Sequence, residues 1–108
     1  MKQIKAFIKK HKLNDVIRAL RKTQSVTGLS VIDRVGYGLG WAQDNPSEQE
    51  MLDGSKLEVF CCDEAVEEVV AAIEHAAHTG LKGDGKIYIS HVEQAVRIST
   101  GERDENSG

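Results

Sequence analysis

Two repeating periods of hydrophobicity divide the chain and limit the folds it can adopt. Apolar residues recur at helical spacing from Leu13 to Leu20 and again from Val66 to Ala77. Four other segments have the alternation or composition of strands: 2–9, 29–35, 57–62 and 86–91. The order strand, helix, strand, strand, helix, strand predicts an α+β ferredoxin-like (βαβ)2 sandwich, with an antiparallel four-stranded sheet and two helices on one face.

The connections between these segments predict a single domain. Residues 39–55 show no sustained periodicity and contain the only proline, so they are predicted to form one long flexible loop. Asp63 is predicted to cap the second helix, which we expect to end at Gly80. The 108 residues then suffice for one domain, and residues 104–108 are expected to be a disordered acidic tail.

Composition argues against several classes of partner. The formal net charge of −3 gives no general attraction to nucleic acid or to an anionic membrane. No apolar run approaches the roughly 18 residues of a membrane helix, and the first residues lack the apolar core of a secretory signal. We therefore expect a cytoplasmic protein that neither binds nucleic acid nor inserts into a membrane. Adjacent Cys61 and Cys62 are expected to be reduced packing residues.

The sheet face opposite the helices is predicted to be too apolar to remain in water. Its side chains would be Phe7, Ile32, Phe60 and Tyr88, among Lys5, Glu58 and Ser30. Burial of this face between subunits is the simplest remedy. A monomer with a half-exposed sheet is the alternative.

The most informative segment for chemistry is residues 79–86, TGLKGDGK, which joins a helix end to a strand. Its glycines tolerate positive φ and allow backbone N–H groups to converge on an anion, while Lys82 and Lys86 add positive charge. The segment is a candidate phosphate-binding loop, although a simple turn is the alternative. It is not a Walker loop, because it enters a strand and lacks the required spacing.

Two further segments are candidate ligand contacts. Arg97, which precedes a hydroxyl-rich turn, has the geometry to bind phosphate through two parallel hydrogen bonds, and an ion pair with the acidic tail is its alternative role. Gly36, Tyr37 and Gly38 lie at the mouth of the long loop. Alternate glycines there suggest close backbone approach to a ligand or a hinge, against the alternative of a twisted strand end.

These segments together resemble the P-II nitrogen-regulatory family over nearly the whole chain apart from residues 39–55. The resemblance rests on VTGLSVIDRVGYG, KLEVFCCDEAVEEVV, AAHTGLKGDGKIYI and QAVRISTGE, and the combination TGxxGDGKI followed by VRIxTGE is specific. It implies a homotrimer that binds an adenine nucleotide in clefts between subunits. It also implies a signal-transduction protein rather than an enzyme, whose long T-loop docks on a membrane transporter or a metabolic enzyme.

The resemblance further implies which residues contact the nucleotide. Gly83, Asp84, Gly85 and Lys86 would form the loop that holds the phosphates, and Arg97 of the neighbouring subunit would reach them. The remaining contacts would be Gly36, Tyr37 and Gly38 at the base of the T-loop, and Ser30, Glu58 and Phe60 in the adenine pocket with Thr79 beside it.

Departures from the family pattern change the expected ligands. The usual Arg-Gln pair, whose glutamine helps hold Mg-ATP and 2-oxoglutarate, is Leu39-Gly40 here, so typical 2-oxoglutarate sensing is not expected. Ser99 stands where the family has a second phosphate-binding arginine, which favours AMP or ADP over ATP. Relatives lacking the glutamine are associated with inorganic carbon or metal transport, so bicarbonate is a candidate co-ligand. Because the loop contains no tyrosine, uridylylation there is not available.

A trimeric metal-tolerance-type binding module of the same fold, without nucleotide, is the alternative function. His75 and His78 lie three residues apart on the second predicted helix, but no third ligand is apparent, so no metal site is predicted. A nucleotide hydrolase is disfavoured because no base and nucleophile pair can be identified.

Overall fold

The computed structural model describes residues 1–26, 28–37 and 51–104. The elements in this part of the chain are β1 (Lys2–Lys9), α1 (Leu13–Thr23), β2 (Leu29–Tyr37), β3 (Met51–Cys61), α2 (Val66–Ala77), β4 (Lys86–His91), β5 (Ala95–Val96) and β6 (Arg103–Asp104). Strands β1 to β4 form one antiparallel sheet in the order β2-β3-β1-β4, and β5 pairs with β6. The predicted order of elements and the α+β sandwich are confirmed.

Both helices pack on the same face of the sheet, as predicted. The core combines alternate residues of the two central strands with one stripe from each helix, and its members include Ile4, Ala6, Ile8, Leu57, Val59, Val16, Leu20, Val69 and Ile73. Leu20 and Ile73 are fully buried. Burial of a side chain of that size contributes roughly 1.5–3 kcal/mol, so this single layer of contacts is the main source of stability.

The long connection is shorter than predicted because β3 begins at Met51 rather than at Leu57. Residues 51–55 continue the ladder with β2, despite the turn-forming residue types in Asp-Gly-Ser. A Cβ atom at Gly54 would lie 2.5 Å from the carbonyl oxygen of Ile8. The glycine therefore serves close packing inside the sheet and not a turn. Residues 39–50 lie outside the described residues.

The ends of α2 and of the chain also differ from the expectations. Asp63 does not cap α2: it begins a short 3-10 helix, and its carboxylate accepts a hydrogen bond of 2.8 Å from the amine of Met1, which lowers the pKa of Asp63. Helix α2 ends at Ala77, three residues before Gly80. Asp104, the first residue of the tail expected to be disordered, lies in β6 and pairs with Ala95 of β5. Residues 105–108 lie outside the described part. Within the described residues, neither helix is long and apolar enough to cross a bilayer.

Candidate functional site

The segment between α2 and β4 is organised around the carboxylate of Asp84. This carboxylate accepts hydrogen bonds from the hydroxyl of Thr79 and from the backbone N–H groups of Thr79 at 2.8 Å and Gly80 at 3.0 Å. Lys9 of β1 lies 3.2 Å from the same carboxylate and also donates to the Thr79 hydroxyl at 3.0 Å. The Thr79 hydroxyl, followed by the backbone donors, holds the pKa of Asp84 well below its usual range.

Positive φ angles fix the path of this loop. Gly80, Gly83 and Gly85 have φ of 79°, 83° and 102°. A Cβ atom at Gly85 would lie only 1.7 Å from the carbonyl oxygen of Phe7, so the close approach of the loop to β1 requires glycine there. The next residue, Lys86, begins β4 directly opposite Phe7 and is exposed.

Asp84 has a structural part in this arrangement. Both of its carboxylate oxygens accept hydrogen bonds from the loop, so the side chain stabilises the loop conformation. A phosphate beside it would meet a negative charge that is already compensated by Lys9 and by backbone donors. The backbone N–H groups of residues 79–81 donate to Asp84 and to the Thr79 hydroxyl, so the groups of the loop suited to an anion are Lys82, Lys86 and the later backbone amides.

A groove adjoins the loop between α2 and the edge strand β4. Its volume is about 370 Å³, within the range of small-ligand pockets. Val70, Ile73 and Ile87 are among the apolar residues that line it, and Asp84 and Lys86 belong to its polar lining.

The sheet face opposite the helices, which we call the free face, carries the apolar residues that the sequence predicts. Register places Phe7, Ile32, Phe60 and Tyr88 on it, and Ile32, Phe60 and Tyr88 remain 49%, 42% and 52% exposed. The rings of Phe7 and Tyr88 meet edge to face with centroids 5.8 Å apart. This placement is confirmed, and no described element covers the face.

The three residues predicted to line an adenine pocket are neighbours on the free face. Ser30 of β2 lies opposite Glu58 of β3, and Phe60 is two residues further along β3 on the same side. Lys56 lies 2.9 Å from the carboxylate of Glu58; this hydrogen bond, together with the lysine charge, lowers the pKa of Glu58. Gly36 and Tyr37 end β2, whereas Gly38 lies outside the described residues.

Arg97 and Ser99 lie in the turn between β5 and β6, a hairpin that the sequence analysis did not predict. The N–H of Arg97 donates to the carbonyl oxygen of Glu102 at 2.8 Å, and the N–H of Gly101, whose φ is 75°, donates to the carbonyl oxygen of Arg97 at 2.7 Å. The Ser-Thr-Gly turn was the available signal. Among the described residues of one chain, neither Arg97 nor Ser99 forms a hydrogen bond or ion pair with residues 79–86; Arg97 pairs with Glu102 at 3.9 Å.

Two cations of this region were missed in the sequence analysis. Alternation along β1 places Lys9 on the same side as Phe7, which was a usable signal. Arg34 lies with its guanidinium carbon 5.1 Å from the centroid of the Phe7 ring. Alternation along β2 places Arg34 on the same face as Ile32, but its contact with Phe7 had no sequence signal, because the side chain crosses Gly54, a residue assigned to the loop.

The histidines and cysteines form no cluster of metal ligands with the other described residues. His75 belongs to the last turn of α2, but His78 follows the helix in an extended conformation and lies 3.7 Å from Asp84. Among the described residues, no group of three or more His, Cys, Asp or Glu side chains could hold a metal ion. Cys61 belongs to the core and Cys62 packs against it, as predicted for packing residues, and burial raises the pKa of the Cys61 thiol.

The fold and the loop define a class of protein: a ferredoxin-like domain whose glycine-rich loop enters an edge strand beside an uncovered sheet face. The sequence profile of the family described as "Nitrogen regulatory protein P-II" matches residues 1–102. The chain belongs to this family.

Relatives that carry the same name align over almost their whole length. The chain is 39% identical over 112 residues to the nitrogen regulatory protein P-II of Haemophilus influenzae and 43% identical over 115 residues to that of Cereibacter sphaeroides, with 99% of each chain covered in both comparisons. It is 40% identical over 111 residues to the Azospirillum brasilense protein, covering 95% of this chain and 96% of the relative.

Proposed function

We propose that the chain is an adenine-nucleotide-binding regulator that controls a partner protein by binding rather than by catalysis. The observation that carries the proposal is the loop before β4, which is fixed by Asp84 and Gly85 and which presents Lys86 beside Phe7. Fixed loops with glycines at positive φ suit phosphate binding, because their backbone N–H groups need no reorganisation when the anion arrives.

The nucleotide would lie between subunits of a homotrimer. The residues predicted for the base lie on β2 and β3. Those predicted for the phosphates precede β4, which forms the sheet edge opposite β2. Arg97 makes its ion pair within its own hairpin. A second copy that covers the free face would bring the two groups together, and it would also remove Ile32 and Tyr88 from water.

The chemistry of the site favours AMP or ADP, with ATP as a weaker ligand. Ser99 offers a hydroxyl where a second guanidinium would add a charge-assisted bond to phosphate. Bicarbonate is the co-ligand that we would test first, because Leu39-Gly40 replaces the pair associated with 2-oxoglutarate sensing.

The output would pass through the long loop to a membrane transporter or a metabolic enzyme. A nucleotide can change the state of that loop only by binding one state better than another. Gly36 and Tyr37 end β2 and precede the loop along the chain, so they would connect nucleotide occupancy to it.

Calorimetric titration with AMP, ADP and ATP tests the proposal. We expect saturable binding of ADP or AMP to the wild-type chain. Lys86→Gln should weaken ADP binding by about tenfold or more, as expected for the loss of one charge-assisted contact. Lys22→Gln, at an exposed position on α1, is the matched control and should bind as the wild type does.

Three results would contradict the proposal or part of it. Wild-type protein that binds none of the three nucleotides would overturn it. Binding that is unchanged by Lys86→Gln would move the phosphates away from this loop. A heat signal with divalent metal ions alone would favour the metal-tolerance module instead.

A further inference from the structure

Basic side chains flank Phe7 on the free face: Lys5 and Lys9 lie two residues away along β1, Lys56 and Lys86 lie opposite it in the register, and Arg34 contacts its ring. Lys56 pairs with Glu58 at 2.9 Å, and Lys9 pairs with Asp84 at 3.2 Å. Arg34 and Lys86 form no ion pair with any described residue. Within the part of the chain that the structure describes, Arg34 and Lys86 are therefore cations beside one aromatic ring that no acidic side chain pairs.

The position of Arg34 depends on two specific contacts. Its guanidinium carbon lies 5.1 Å from the centroid of the Phe7 ring, a cation–π distance. To reach that ring from β2 the side chain passes across β3 at Gly54, where an added Cβ atom would approach Nη2 to 3.1 Å and Nε to 3.2 Å. The absence of a side chain at Gly54 thus gives Arg34 its path.

Beside the ring, one donor of Arg34, its Nε, is buried without a hydrogen-bond partner among the described residues. A guanidinium offers five N–H donors in a planar fork that matches the oxygens of phosphate or carboxylate, and a ring face satisfies none of that geometry. Because Nε is buried, an anion beside the ring would instead be bound by the terminal amino groups of the guanidinium.

Lys86 places a second cation at the same ring. It lies directly opposite Phe7 in the register of β1 with β4, and its side chain is exposed. An anion at the edge of the ring is therefore within reach of both side chains. Strand β2, which carries Arg34, is the sheet edge opposite β4 and the glycine-rich loop. Arg34 would therefore contact a phosphate beyond the first one held by that loop.

We propose that Arg34 is a phosphate-binding residue of this site, which acts with Lys86 on the second phosphate of a bound adenine nucleotide. The proposal rests on the nucleotide-binding function proposed above. It makes Arg34 a determinant of the preference for a diphosphate over a monophosphate, because the fork binds only where a second phosphate is present.

Titration of an Arg34→Gln variant with AMP and with ADP tests this inference. We expect ADP binding to weaken by about tenfold, the effect of one charge-assisted hydrogen bond, and AMP binding to change by less than about twofold. Arg34→Lys, which keeps the charge and loses the fork, should fall between the two. Arg18→Gln on α1, where Arg18 pairs with Asp15 at 3.2 Å, is the matched control and should leave both ligands unaffected. Inorganic pyrophosphate, a probe without a base, should bind the wild type better than Arg34→Gln.

The outcomes separate this inference from the function it builds on. If Arg34→Gln binds ADP as tightly as the wild type, Arg34 is not a ligand and the nucleotide-binding function stands. If the variant loses AMP and ADP equally, its effect is structural and the inference is wrong, which a fall in its thermal unfolding midpoint would corroborate. If the wild type binds no adenylate, the proposed function fails first and the role of Arg34 fails with it.

Discussion

Gly85 and Asp84 hold the loop before β4 in one conformation by different means. Gly85 allows a φ of 102° and lets the chain pass against the Phe7 carbonyl, whereas Asp84 gathers the donors at the start of the loop. One residue acts through backbone freedom and the other through electrostatics. Their contributions can be separated by substitution.

Replacing Gly85 with alanine should distort the loop severely. The new Cβ atom would lie 1.7 Å from a backbone oxygen, in addition to the strain of positive φ, so we expect a loss of more than about 2 kcal/mol in the free energy of unfolding and a loss of nucleotide binding. Gly101→Ala is the matched control. Its φ is 75° with no atom within 4 Å, so it should cost only about 1 kcal/mol. Urea unfolding measures the free energy of unfolding of both variants. Equal losses in Gly85→Ala and Gly101→Ala would show that the contact with Phe7 is unimportant.

The carboxylate of Asp84 should make stability depend on pH in the acid range. Its pKa in the folded protein lies below the ordinary value of 3.8, so its stabilising effect is fully present above that value and is lost as pH falls through the folded pKa. Asp84→Asn should therefore be less stable than the wild type at pH 7, and the difference should shrink in strong acid. Urea midpoints across the pH range measure this. A difference that stays constant down to about pH 2 would contradict the assignment.

At the scale of the elements, sequence periodicity predicted the faces of strands and helices well. Alternation places Ile4 in the core and Phe7 on the free face, because successive strand residues point to opposite sides whatever the surrounding fold. It failed where local preference competes with long-range pairing. Gly54 has the composition of a loop residue, yet it belongs to β3 because neighbours on β1 and β2 complete its ladder. Likewise, Asp63 was predicted to cap α2, but its carboxylate pairs with the distant amine of Met1.

In the candidate site too, features set by local sequence could be predicted, whereas contacts between distant residues could not. The loop around Gly83 and Gly85 was predictable because positive φ demands glycine locally. The pairing of Lys9 with Asp84 and the path of Arg34 over Phe7 depend on residues distant in sequence. No local pattern encodes such contacts, so they emerge only from the sheet register.

Ser55 illustrates how β3 tolerates a polar group in the core. It is fully buried, and its hydroxyl has no hydrogen-bond partner among the described residues. Ser55→Ala should leave the free energy of unfolding unchanged or raise it by up to about 1 kcal/mol, because an unsatisfied hydroxyl is unfavourable when buried. Ile8→Ala, at the position opposite it on β1, should instead lose about 2–5 kcal/mol by creating a cavity. A marked loss in Ser55→Ala would show that the hydroxyl has a partner.

At the scale of the whole molecule, the two faces of the sheet have opposite environments. The helix-covered face buries its aliphatic residues completely, whereas the free face exposes Ile32, Phe60 and Tyr88. In a single chain, none of the described elements covers this second face. Assembly through the free face would resolve the asymmetry, and it would also place the residues that we propose to contact the base in one chain near another chain's glycine-rich loop.

A charge introduced on the free face should therefore break the assembly without unfolding the chain. Ile32 is 49% exposed and lies opposite Lys56, so a glutamate there is compatible with the isolated chain but would carry an unfavourable charge into a subunit interface. Wild-type protein should show three times the 11.9 kDa chain mass in sedimentation equilibrium, and Ile32→Glu should approach the single-chain mass. Ala71→Glu, at an exposed position on α2, should remain trimeric. A monomeric wild type would contradict the trimer, whereas an Ile32→Glu variant that stays trimeric would place the interface on another surface.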